Sequence, residues 1–89
     1  MIKLFWDEGF KKAYRKRIKN NKELKRKFWD SIELFAKDPF TIRLKTHKLS
    51  GKLKGLWAFS CSYEYRVIFD FIESNEVLLI DIGMHDEVY

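Results

Sequence analysis

Three polar residues stand out in the second half of this 89-residue chain: His47, Arg66 and His85. Arg66 is the only one of the 18 Lys and Arg residues that follows Lys54. It lies within Tyr65-Arg66-Val67-Ile68-Phe69. His47 opens the earlier segment His47-Lys48-Leu49-Ser50-Gly51, and His85 lies in the later Asp81-Ile82-Gly83-Met84-His85. A guanidinium grips a phosphate through parallel N–H donors and stabilises charge developing on it. Imidazole takes and gives protons near neutral pH. One cation kept in a strand between two histidines suits an enzyme acting on a phosphodiester. Each residue also has an ordinary reading. Arg66 fits a cross-strand ion pair with Glu64, Asp70 or Asp81, of small worth on an exposed face. His47 fits a turn, and His85 a polar surface position near the C-terminus.

The elements around these residues follow from periodicity. Ile2 to Trp6 reads as a strand. Asp7 can cap a helix in which Phe10, Tyr14 and Ile18 repeat every four residues, with Lys11, Lys12, Arg15, Lys16 and Lys19 opposite. Asn20 with Glu23 has capping-box spacing for a second helix, whose apolar face is Leu24, Phe28, Ile32, Phe35 and Ala36. Asp38-Pro39 ends it. The two predicted helices, near Asp7–Lys19 and Lys22–Lys37, form an antiparallel hairpin. Phe40 to Gly51 reads as polar and irregular. Three runs follow, Leu53 to Ser62, Tyr65 to Glu73 and Glu76 to Ile82, with links short enough for consecutive antiparallel hairpins. The expected fold class is α+β, in the order β-α-α-β-β-β. The helical hairpin covers one face of a small, mostly antiparallel four-stranded sheet. Within the strand of Arg66, residues Val67, Phe69 and Phe71 should face the helices. Arg66, Ile68 and Asp70 then face away.

Size and charge narrow the classes. The chain is one domain, 1–89, with a modest core supplied by eight Phe, three Trp and four Tyr. A single cysteine, Cys61, forms no internal disulfide and suits a reducing compartment. No apolar run reaches the roughly 20 residues of a membrane span, and the start lacks a signal-peptide pattern, so a cytoplasmic location without membrane association is expected. Residues 1–55 hold 17 basic and 6 acidic residues, a net of +11, whereas residues 56–89 hold 1 and 7, a net of −6. So basic a first half attracts polyanions without sequence selectivity. His47, His85 and Cys61 are too few and too scattered for a dedicated metal site, and no Gly-rich phosphate loop is present.

The order and spacing of the three signatures resemble the RelE/YafQ/YoeB family of bacterial toxin endonucleases, which cut messenger RNA on the ribosome. The resemblance spans the whole chain and is most specific in the last half. It implies the toxin of a type II toxin–antitoxin pair, a ribosome-dependent mRNA endonuclease that uses neither metal nor cofactor. In that chemistry a ribose 2′-hydroxyl attacks the adjacent phosphate. Arg66 would stabilise the phosphorane and His85 would serve as general acid, with Tyr89 as the aromatic residue of the same site. The resemblance also puts His47 in the active site. The base would be Glu64 or His47. Lys45, Lys48, Lys52 and Lys54 would form an RNA-binding patch. Expected partners are a cognate antitoxin, ribosomal RNA and mRNA.

Departures from the family pattern bear on the base. Ser60 stands where YafQ-like relatives place a second histidine, and Glu64 where they place an aspartate. Trp57 and Phe59 replace the catalytic lysines of RelE, and Arg43 lies near the position of the YoeB base. Trp57 fits either a base-stacking platform or the core. Two other readings stay open. ParE-like relatives share the layout and the Tyr-Arg-Val-Ile pattern but poison DNA gyrase, and a basic RNA-binding module without catalysis has the same charge.

Overall fold

The computed structural model describes residues 1–85, so Tyr89, expected in the site, lies outside the described residues. The chain begins with β1 (Lys3–Trp6) and turns at Asp7, whose carboxylate accepts the N–H of Gly9 at 2.9 Å and caps α1 (Glu8–Arg17). The next cap is Asn21 rather than Asn20: its side chain accepts the Leu24 N–H at 3.0 Å, starting α2 (Lys22–Lys37). Beyond Asp38 the segment read as irregular carries a 3₁₀ turn (Ile42–Leu44) and a two-residue strand, β2 (His47–Lys48). A second 3₁₀ turn (Gly51–Leu53) leads to β3 (Trp57–Ser60), β4 (Tyr65–Glu73) and β5 (Glu76–Met84).

The sheet has five strands, in the order β1-β5-β4-β3-β2. β1 runs parallel to β5, and the other pairs are antiparallel. The strand beyond the four expected is β2, which pairs His47 with Ala58 and Lys48 with Trp57. Two residues are too few to show alternation, so β2 has no signature of its own in the sequence.

Both helices pack on one face. Phe10, Phe28 and Phe35 are fully buried against Phe59, Val67, Phe69, Val77 and Leu79. Phe35 stacks on Phe59 with centroids 4.5 Å apart and meets the edge of Phe69 at 4.8 Å. Trp57 joins this core, stacking on Phe69, with the Lys48 ammonium 5.4 Å from the centroid of its ring. That resolves its two readings in favour of packing.

The opposite face is open only at one end. Leu49, Ala58 and Ile68 form a second small core, sealed by Leu53, Leu56 and Ile80. The segment from Leu49 to Leu56 folds over the sheet because Gly51 and Gly55 adopt φ of 65° and 97°, where a side chain is disfavoured. Beyond this cover, toward the β3–β4 hairpin, Arg66 and His85 line shallow concavities on the sheet.

Candidate functional site

Residues directly opposite each other in antiparallel strands project to the same face. Ser60, Arg66 and Gly83 are paired across β3, β4 and β5. They lie on the side of Ala58 and Ile68, away from the helices and past the Leu49–Leu56 cover. Arg66 is therefore flanked by a small side chain and by none, which leaves the guanidinium room above the sheet. Its Nη1 donates to the carbonyls of Ser62, Tyr63 and Tyr65 at 3.2, 3.1 and 3.2 Å. The hairpin thus holds the side chain by one nitrogen, and no carboxylate among the described residues comes within 4.0 Å of it. The remaining donors of its fork are suited to bidentate contact with a phosphate.

His47 reaches the same place from β2, being paired with Ala58 on that face. Its Nδ1 lies 2.8 Å from the Lys45 carbonyl. Since a carbonyl only accepts, Nδ1 carries the proton and a neutral ring keeps its lone pair on Nε2. The carbonyl is turned toward His47 by Lys45 itself, at φ 53° and ψ 39° in the left-handed region. Such a conformation in a residue other than glycine is uncommon and gathers at functional sites. From the other side, the N–H of His85 donates to the Glu64 carbonyl at 2.8 Å, fastening the end of β5 to the β3–β4 hairpin.

These placements converge. Lys45, His47, Arg66 and His85 line one shallow concavity of about 420 Å³. Glu64, Tyr63 and Met84 line a neighbouring one of about 370 Å³, again with Arg66 and His85. The two imidazoles flank the guanidinium, and Glu64 stands on the His85 side. Of the four lysines of the expected patch, only Lys45 lines the concavity. Lys48 points to the helix face over Trp57, while Lys52, on the 3₁₀ turn of the cover, and Lys54, just after it, are exposed. Cys61, close by, is buried, and loss of hydration pushes its thiol up to about 12, so it stays protonated and unreactive. Among the described residues no three His, Cys, Asp or Glu side chains are grouped to hold a metal ion.

The YoeB/ParE toxin from Agrobacterium tumefaciens superposes with a TM-score of 0.76 at 21% identity, over 94% of this chain and 99% of that one. YafQ from E. coli gives 0.73 at 16%, over 100% and 99%. The YoeB–YefM complex from Staphylococcus aureus gives 0.73 at 16%, over 96% and 98%. The chain has the fold of the YoeB and YafQ toxins. No protein-family model and no curated protein matches the sequence. At these identities the fold is what is shared.

Tyr63 and Lys27, which no signature in the sequence marks, also border the site, together with Arg43. Tyr63 is 94% exposed at the tip of the hairpin whose carbonyls hold Arg66. Lys27 and Arg43 come from α2 and the first 3₁₀ turn and meet beside β3 only through the tertiary fold.

Proposed function

We propose that the protein is the toxin of a type II toxin–antitoxin pair and cleaves mRNA on the ribosome. The observation that carries this reading is the shared concavity of Arg66, His47 and His85 at the end of the sheet past the Leu49–Leu56 segment. The fold it shares with the YoeB and YafQ toxins supports the toxin class.

The attacking group is a ribose 2′-hydroxyl. His47 accepts its proton at Nε2, the nitrogen left with a lone pair by the Nδ1 contact to Lys45. As the 2′-oxygen bonds to phosphorus, Arg66 takes the growing charge of the phosphorane on its uncommitted donors. The P–O5′ bond then breaks, and His85 gives its proton to the departing oxygen. One proton enters and one leaves the protein, and the products carry a 2′,3′-cyclic phosphate and a 5′-hydroxyl. Glu64, on the Arg66–His85 side, is the other candidate base.

Partners follow from charge. The net +11 of residues 1–55 suits ribosomal RNA as well as an acidic segment of an antitoxin. The staphylococcal YoeB bound to YefM is a precedent for such a pairing on this fold.

The test is end-mapping of a translated message in ribosome-containing extract, with and without the protein. Cuts bearing cyclic phosphate and 5′-hydroxyl ends, absent with Arg66→Ala and with His85→Gln, are expected. Intact mRNA together with gyrase-linked DNA breaks would establish the gyrase-poison alternative instead, since that activity needs no proton donor.

A further inference from the structure

β2 is so short that it leaves the outer edge of β3 without a strand partner past Ala58. Beside that edge, between α2 and the first 3₁₀ turn, lies a cleft of about 350 Å³. It is continuous with the site already described, because Arg66 and Lys45 line both. Its cations are Arg26, Lys27, Arg43, Lys45 and Arg66, against the single carboxylate of Asp30. Asp30 is taken by Arg26 at 3.3 Å, and Lys27 is only loosely held by Glu23 at 3.9 Å. Arg43 and Lys45 have no carboxylate within 4.0 Å among the described residues. Tyr63 stands at the rim, its backbone held by Arg66 and its ring almost wholly exposed. It lines this cleft and the concavity of Glu64 and His85.

We infer that this cleft carries the substrate strand on one side of the scissile phosphate, with Tyr63 as the platform for a base and Arg43 and Lys27 as contacts for flanking phosphates. The inference rests on the RNA-cleaving reading above and adds a binding track to it. A single strand needs a cationic groove along its backbone and an aromatic face at its bases. Here both adjoin the guanidinium that holds the reacting phosphate. A tyrosine has only two side-chain torsions to fix when a base settles on its ring. Arg43 sits next to Leu44, which is buried at 1% exposure and anchors the turn, so its base is fixed while its head reaches the cleft. The acidic segment of an antitoxin also suits the cations, but it makes no use of an exposed ring joining the two concavities.

Two measurements test this on programmed ribosomes. In the first, cleavage kinetics are compared for wild type, Tyr63→Leu, Tyr63→Phe and Arg43→Gln. Tyr63→Leu and Arg43→Gln should each raise KM about tenfold with little change in kcat, and Tyr63→Phe should restore wild-type values. In the second, 2-aminopurine is placed at successive positions around the cut site, and the non-cleaving His85→Gln protein is added. One position should be quenched, and the quench should vanish in His85→Gln carrying Tyr63→Leu. Unchanged KM in both variants and a quench insensitive to Tyr63, with a wild type that cleaves, would overturn the track and leave the catalytic reading standing. Loss of antitoxin affinity without change in KM would also overturn it and assign the cleft to the antitoxin. A wild type that cuts no RNA would instead defeat the reading on which the track depends.

Discussion

The guanidinium of Arg66 gives one nitrogen to three hairpin carbonyls and keeps the rest of its fork for an anion. Carbonyls orient it without neutralising it, which a cross-strand carboxylate would do. Arg66→Ala should therefore lower the cleavage rate on the order of 10²–10³-fold while leaving the protein folded, measured as single-turnover rates beside circular dichroism. A rate equal to wild type would reduce Arg66 to a hairpin fastener. Cys61 makes a second prediction. Its thiol, at 9.0 when unperturbed, is raised to about 12 by burial, so the folded state holds the proton more tightly than the unfolded state. That contribution is complete below pH 9 and is lost as pH rises toward 12. The urea midpoint of wild type should thus fall more steeply above pH 9 than that of Cys61→Ala, and native Cys61 should resist iodoacetamide at neutral pH. Matching alkaline slopes would contradict this.

At the scale of elements, the core explains why the meander is rigid enough to hold a site. Phe59 is fully buried between Phe35 and Phe69. Phe59→Ala should cost about 3–5 kcal/mol in chemical denaturation. A loss below about 1 kcal/mol would show that β3 is not locked in this way. The two helices, the three-strand meander and the facing of Arg66 away from Val67 and Phe69 were all readable from periodicity, because long amphipathic runs repeat their signal. β2, the 3₁₀ turns and the cover were not. Leu44 and Leu49 are single apolar residues in a polar stretch, and their burial depends on partners distant in sequence. The site shows the same division. Arg66, His47 and His85 stood out by residue type, while the turning of Lys48 onto Trp57 follows from a two-residue strand register. Tyr63 and Lys27 had no pattern to mark them, since different elements bring them together with Arg43.

For the whole molecule, the division of charge becomes a division of labour. The basic first half supplies the helices, the turn with Lys45, and the cover; the acidic second half supplies the meander, with Arg66 as its one cation. Cleavage should weaken steeply with added salt, through binding rather than chemistry, as phosphate contacts release counterions. In the proposed reaction His85 protonates the leaving oxygen while Arg66 stabilises the phosphorane. This is tested most directly with a message whose 5′-bridging oxygen at the cut site is replaced by sulfur, which leaves without a proton. Single-turnover rates on programmed ribosomes should show His85→Gln restored nearly to the wild-type rate on the sulfur substrate, and Arg66→Ala still slow. If His85→Gln is as slow with sulfur as with oxygen, His85 is not the general acid and the account of the site is wrong.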